Sequence, residues 1–340
     1  MNIVSIYSGC GGLDLGFKKA GYNTIMATDN WDIACSTLNN NKISNTIIND
    51  DIRKINFTDY SGCTDGLIGG PPCPPFSQTR HYLTKKQKGF DDKNAGFAVP
   101  EYFRALEEIK PKFFLFENVD GFMYKTHKKE LEYFIKKSNE LGYNLVFDVI
   151  NTADYGVPQT RKRFFAIGFK NNLGTFSFPK ATHSNPSKKK NGELNWVTCG
   201  EVLHDYDYVT SDEELQKPGS KHHNLLEDIP PGNNYLYYTE KRGYPEPKFK
   251  WKSRYWTFLL KLTPERPSWT IQASFSNNQG PFHWKNRFLR IEELKRIQTI
   301  DDNYVLEGDF KEQWRQVGNA VPTKWAEIIA QEIKKQLIID

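Results

Sequence analysis

The first half of the chain alternates short apolar runs with stretches whose apolar residues recur at helical spacing. Residues 3–7 form one such run, ending in the turn Ser8-Gly9-Cys10-Gly11-Gly12. A helix is predicted from that turn to about Ala20, stopped by Gly21, a residue type favoured just beyond helix ends. The pattern predicts further strands at 24–27, 46–48, 66–69, 112–116, 145–150 and 163–169, and helices at 31–38, 100–109 and 130–141. The run at 112–116 is nearly all apolar, as in strands covered on both faces. This alternation predicts an α/β class with a doubly wound, mostly parallel sheet. After about Asn171, prolines, glycines and lysine runs interrupt the periodicity until a helical stretch at 291–298. The segment 323–337 puts Trp325, Ile328, Ile329 and Ile333 on one face of an amphipathic helix, predicted to pack back on the first domain. Two domains are expected: 1–171 together with 305–340, and a smaller, irregular one at 172–304.

Composition narrows the class. No run approaches the ~18 consecutive apolar residues of a membrane helix. The first residues lack a basic leader, so no membrane association and a cytoplasmic location are expected. The five cysteines are odd in number and none forms Cys-x-x-Cys, which argues against a disulfide framework, a zinc knuckle or any metal site. Each cysteine is then core filler or a nucleophile. A net charge of +5 is compatible with a nucleic-acid partner without requiring one. Many aromatics of the second half stand among lysines and arginines, which suits a surface meeting bases and phosphates. A compact core rimmed by solvated lysines would give the same composition.

Two turns carry candidate chemistry. Gly9-x-Gly11-Gly12-x-x-x-Gly16 follows the first strand, where backbone can approach a nucleotide-like ligand. Asp14 stands where the dinucleotide fingerprint needs its third glycine, and no phosphate-cradling Gly-Lys-Ser/Thr loop occurs there. An adenosyl group without a phosphate fits better. At the second strand end, Asp29 or Asn30 can meet ribose hydroxyls, and Trp31 can pack on adenine. At the third, Asp51, followed by Ile52, can accept from an adenine amine.

The second turn is Gly69-Gly70-Pro71-Pro72-Cys73-Pro74-Pro75-Phe76-Ser77-Gln78. Four prolines around one cysteine stiffen the backbone and suppress helix and sheet. Such a mount at the carboxyl end of a central strand displays a thiol over the ligand crevice.

This segment resembles the Pro-Cys motif of DNA (cytosine-5) methyltransferases of the prokaryotic type. Four more blocks of that family follow in order: Phe116-Glu117-Asn118-Val119, Gln159-Thr160-Arg161-Lys162-Arg163, residues 287–298, and Gln316-Val317-Gly318-Asn319-Ala320-Val321-Pro322. The resemblance implies an S-adenosylmethionine-dependent methyltransferase fold. It also implies methyl transfer to carbon 5 of cytosine in a specific duplex DNA sequence, with the base flipped out of the helix. Cys73 would be the nucleophile, Glu117 the proton donor at ring nitrogen 3, and Arg163 the partner of the base carbonyl. Arg161 would sit nearer a phosphate or hold the loop, and Asn118 would brace the turn. S-adenosyl-L-methionine would meet Tyr7, Gly9, Gly11, Gly12, Asp29, Asn30, Trp31, Asp51, Ile52, Pro71, Asn319 and Val321.

The second domain would recognise the target. Lys250, Lys252, Arg254, Tyr255 and Trp256 are candidates for the groove, and Ser77 and Gln78 for contacts near the flipped base. The polar stretch 77–96 is the expected active-site loop, with Gly89 and Gly96 as pivots. Two departures stand out. Pro74 replaces the family's usual glutamine, and the order Asp29-Asn30 leaves the ribose partner open. A monomer is expected, with a restriction endonuclease encoded nearby as a potential partner. Competing readings are a transfer-RNA cytosine-5 methyltransferase, a non-catalytic DNA-binding module and, last, a NAD-dependent oxidoreductase.

Overall fold

The computed structural model describes residues 1–72, 95–188, 192–252 and 255–338. Cys73, Pro74, Ser77, Gln78, Arg254, the lysines at 189–190 and all but the end of the 77–96 stretch lie outside the described residues.

Seven strands form the main sheet: β1 (Asn2–Ile6), β2 (Asn23–Asp29), β3 (Ile47–Asn49), β4 (Gly66–Gly69), β5 (Phe113–Val119), β6 (Tyr143–Asn151) and β7 (Lys162–Lys170). Their order is β3-β2-β1-β4-β5-β7-β6. All run parallel except β7, which lies antiparallel between β5 and β6. The main helices are α1 (Gly12–Lys19), α2 (Asp32–Asn40), α3 (Ala98–Ile109), α4 (Lys128–Glu140), α5 (Ile291–Ile297), α6 (Phe310–Asn319) and α7 (Thr323–Ile338).

Side chains of a strand alternate between sheet faces, and the central strands are apolar on both. Ile3, Ile68, Phe113, Leu115, Phe165 and Ile167 pack with Phe17 of α1 and with Trp325, Ile329 and Ile333 of α7. Val4, Leu67, Phe114, Phe116 and Phe164 pack on the opposite face with Tyr102, Phe103 and Leu106 of α3 and Phe134 of α4. α7 crosses α1 closely because Gly16 has no side chain: a Cβ there would come within 2.4 Å of the Ala326 Cβ.

The later part of the chain does not form one separate core. Cys199, Leu203, Leu262, Ile271, Leu289, Leu294 and Ile297 share a third cluster with Cys10, Leu15, Ala27, Leu38, Trp314 and Val317. That cluster joins residues from both sides of the expected boundaries at 171 and 304. A smaller fourth cluster gathers Leu226, Ile229, Tyr235, Leu236, Tyr238, Leu259 and Phe282. The pairing of Gln159–Thr160 with Ser268–Trp269 ties the later region to the lead-in of β7.

Two elements depart from the sequence pattern. β5 runs three residues past Phe116 because β7 pairs with it through Val119, so Glu117 stands inside a strand. α6 was not predicted. Its signal is the reciprocal cap between Asp309 and Glu312, a helix-start pattern that owes nothing to apolar periodicity.

Candidate active site

β1 lies between β2 and β4, and successive crossovers leave it toward opposite sheet edges. In such sheets the ligand crevice lies at the carboxyl ends of the strands on either side of this switch. The first turn follows β1. Tyr7 is held at φ 54, a backbone conformation uncommon for a tyrosine. Its hydroxyl donates to the Ala98 carbonyl at 3.0 Å. Burial, with Glu101 and Asp51 adding to it, pushes the phenol pKa far up, so Tyr7 stays a protonated donor.

Gly9 also has positive φ, +52, and a Cβ on it would meet nothing within 4 Å. Its N–H donates to Asp29 Oδ2 at 2.9 Å. Gly11 and Gly12 differ. The Leu38 side chain closes on Gly11, and the Val321 carbonyl lies 2.5 Å from where a Gly12 Cβ would stand. Among these three glycines only Gly9 borders open space. Gly12 admits the closing block 316–322, and Gly11 admits the side chains of Leu38, Ile43 and Tyr304.

Asp29 ends β2, and its Oδ1 accepts the Trp31 N–H at 3.0 Å. Burial raises its pKa, while the N–H groups of Gly9, Trp31 and Asn30 and the charge of Arg315 oppose that rise. Asn30 is exposed. The half-buried Trp31 carries the Arg315 guanidinium 4.3 Å from its ring centroid. Asp51 caps the short helix 52–54 and pairs with Arg53 at 2.5 Å. That pairing pulls its carboxyl down to about 2. Ile52 is buried, and Arg53 stacks on Phe97 at 4.4 Å.

The second turn follows β4. Pro71 is buried, and its carbonyl accepts from Asn118 Nδ2 at 3.2 Å, so Asn118 fixes the backbone two residues before Cys73. Glu117 is 8% exposed. Its Oε2 lies 2.9 Å from where a Cβ on Gly70 would stand, so the carboxyl lies directly on this turn. Arg163 Nε approaches Glu117 Oε1 at 3.3 Å from the neighbouring strand. Burial raises the Glu117 pKa, and the charges of Arg163 and Arg161 oppose it. A carboxyl that keeps its proton beside a fixed guanidinium can donate to a heterocycle while the cation binds an adjacent oxygen.

Arg161 corrects one of the two roles left open for it. It is 1% exposed, and its guanidinium donates to the carbonyls of Ile271 at 3.3 Å and Gly318 at 3.1 Å. Burial excludes a phosphate contact; Arg161 binds the closing block to β7. Sequence reasoning also missed two glutamines. Gln298 Nε2 donates to Val317 and Ala320 carbonyls at 2.9 and 2.7 Å, and its Oε1 accepts from Gln159 Nε2. Gln159 Oε1 accepts the Ile271 N–H at 3.1 Å. Asn319, between the two carbonyls, is exposed, and Val321 is buried.

The candidates for target contact lie on the later region, away from these strand ends in the chain. Tyr255 and Trp256 are 47% and 40% exposed, and Lys250 and Lys252 are exposed. Trp256 meets Trp269 edge-on at 6.4 Å, and Arg266 lies 5.5 Å over Trp269. Lys241 stands 4.4 Å over the exposed Trp251. Aromatic faces and cations thus alternate on this surface. Among the described residues no group of His, Cys, Asp or Glu could hold a metal ion, and no helix is long and apolar enough to cross a membrane.

The chain is 34% identical to the Type II methyltransferase M.SacI of Streptomyces achromogenes, over 98% of this chain and 93% of that protein. It is 32% identical to the Type II methyltransferase M.NgoPII of Neisseria gonorrhoeae, over 99% and 96%. A solved structure of a Spodoptera frugiperda DNMT2 mutant superposes with a TM-score of 0.66 at 18% identity, covering 99% of both chains, which shows a shared fold. Residues 1–335 match the family described as C-5 cytosine-specific DNA methylase. With both turns and the closing block on one continuous match, the chain belongs to the C-5 cytosine-specific DNA methylase family.

Proposed function

We propose that this chain performs its family's reaction, methyl transfer from S-adenosylmethionine to carbon 5 of cytosine in DNA, through a covalent bond between Cys73 and carbon 6. The observation that carries the reading is the buried Glu117 carboxyl lying on the Gly70 turn, with Arg163 at 3.3 Å and Cys73 following directly in the chain.

Carbon 5 of cytosine is a weak nucleophile. The Cys73 thiolate adds to carbon 6, and the electron pair of the 5,6 double bond moves into the ring. Glu117 gives its proton to ring nitrogen 3 as charge builds there, and Arg163 binds the neighbouring carbonyl oxygen. Carbon 5 thereby becomes an enamine carbon. S-adenosylmethionine, when bound, supplies an electrophilic methyl group to that carbon. Loss of the carbon 5 proton to solvent water then expels the Cys73 thiolate, and nitrogen 3 returns its proton to Glu117. A thiol serves well because its thiolate is both a strong nucleophile and a fair leaving group. The target base must leave the duplex stack to reach these groups.

The first turn suits an adenosyl group. Gly9 leaves a space that any side chain would fill, and Asp29 keeps that turn in place. The ribose partner is Asp29 or the exposed Asn30, because each Asp29 oxygen accepts one backbone N–H and keeps a lone pair for a hydroxyl. Trp31 borders adenine, and Asp51, which Arg53 holds ionised, accepts from its amine. Trp256, Trp269 and Tyr255, with Arg266, form the surface that meets DNA. The Type II names of the relatives support a place beside a restriction endonuclease. The chain is proposed to act as a monomer.

Bisulfite sequencing of DNA from cells expressing the chain reports the modified base and its sequence context together. Methylation at one sequence, lost in Cys73→Ser, is the expected result. Full methylation by Cys73→Ser removes the covalent route. Methyl transfer to transfer RNA, with none to duplex DNA, replaces the substrate assignment.

A further inference from the structure

Arg315 has no part in the steps above. It stands on the exposed side of α6, with its guanidinium 4.3 Å from the Trp31 ring centroid, well inside cation–π range. Its position is preset by its buried neighbour. Gln316 Oε1 accepts the Thr37 hydroxyl of α2 at 2.7 Å, and Gln316 Nε2 donates to the Glu307 carbonyl at 2.8 Å. The Cys10 thiol donates to the Gln316 carbonyl at 3.5 Å. α2 begins immediately after Trp31, so these bonds hold the two helices that carry the cation and the ring. The Trp31 N–H in turn rests on Asp29, whose other oxygen holds Gly9. A chain of contacts thus runs from α6 to the open space beside Gly9. The Arg315 charge also acts on the Asp29 carboxyl, opposing the effect of burial and favouring the ionised acceptor.

We infer that Arg315 is a positioning residue for the adenosyl group: it holds the Trp31 indole at the border of the Gly9 turn and so sets cofactor affinity. The inference rests on the reading of Gly9, Asp29 and Trp31 as the adenosyl site. Arg315 acts through the ring, so its loss weakens binding and leaves the methyl-transfer step unchanged.

Titration calorimetry with S-adenosylhomocysteine separates the two ideas. The proteins compared are wild type, Trp31→Ala, Arg315→Ala, Arg315→Lys and the Trp31→Ala/Arg315→Ala double variant, each checked for folding by its thermal midpoint. Arg315→Ala should bind about three- to tenfold more weakly, the size of an exposed to partly buried cation–π contact. Arg315→Lys should keep most of the affinity. The double variant should bind no more weakly than Trp31→Ala, because the arginine then has no ring to hold. Steady-state rates should show a raised cofactor KM with kcat changed by less than about twofold. Should Arg315→Ala not fold, Arg315→Gln replaces it, keeping length without charge. Unchanged affinity in the arginine variants beside weakened Trp31→Ala overturns the role of Arg315 alone, as does a double variant whose losses add. Unchanged affinity in Trp31→Ala overturns the adenosyl-site reading beneath it.

Discussion

Gln298→Leu probes how the closing block is held. Gln298 and Gln159 are both fully buried. The Gln298 amide has no spare hydrogen: both go to the carbonyls of Val317 and Ala320, so its oxygen must accept from Gln159. Leucine strands the Ala320 carbonyl and the Gln159 amide donor away from water, while the Val317 carbonyl keeps the Ala320 N–H at 3.2 Å. Each orphaned group costs roughly 1–3 kcal/mol, and the buried leucine returns about 1.5–3 kcal/mol. At the middle of these ranges the net loss is about 2 kcal/mol. Unfolding entropy near 60 °C is ~2.1 cal/mol/K per residue, or roughly 0.7 kcal/mol/K for 340 residues, so the midpoint should fall by about 3 °C. Circular dichroism melts measure this directly. S-adenosylhomocysteine affinity should fall with it, because the same carbonyls bracket Asn319 just before Val321 closes on Gly12. The Gln159→Leu/Gln298→Leu double variant should lose less than the two singles combined, since each single strands the other's amide. A midpoint shift under about 1 °C, or strictly additive losses, would refute the argument.

Three further outcomes follow from the geometry. Glu117→Gln should lower kcat/KM by about 10²–10⁴-fold, the ordinary worth of a positioned general acid. The wild-type rate should decline as pH rises through the raised Glu117 pKa, because the donor must hold its proton; a glutamine variant that keeps this limb would assign it elsewhere. Asp14 is fully buried, with the Ser5 hydroxyl at 3.0 Å, and burial pushes its carboxyl up to about 6. The folded chain therefore keeps this proton at pH values where the unfolded chain releases it. Its contribution is fully present below the unfolded value near 3.8 and is lost as pH rises through about 6, a swing of about 3 kcal/mol. Urea melts of Asp14→Asn between pH 4 and 7 should show a flatter stability profile, and a slope equal to wild type would contradict this. Trp256→Ala should weaken duplex DNA binding by about fivefold or more, in line with aromatic contacts to bases, with cofactor affinity unchanged. Equal DNA affinity in a filter-binding assay would take that surface out of target contact.

Most of the α/β scaffold was legible because its physics is local. Strands such as β4 and β5 are apolar on both faces, and helices such as α3 and α7 bury one stripe, so period and composition announce them. β5 looked as if it stopped at Phe116 because Glu117 is polar. Pairing with β7 carried the strand on, and the same pairing put Arg163 beside the carboxyl. α6 escaped notice because polar links hold it, Gln316 with Thr37 and Asp309 with Glu312, and periodicity is blind to those.

Chemistry divides in the same way. Residue types and spacing alone marked the stiff proline mount of Cys73, the glycine turn after β1, and Glu117 after an apolar run, because each is set by neighbours in the chain. Tertiary structure alone decided that Arg161 is a buried brace, that each Asp29 oxygen accepts a backbone N–H, and that Arg315 stands over Trp31. The places of Arg161 and Arg315 depend on which carbonyl or ring arrives from more than a hundred residues away, and that of Asp29 on the Gly9 turn beside its strand end. A charged side chain reads as a surface group until the fold supplies partners that make its burial affordable.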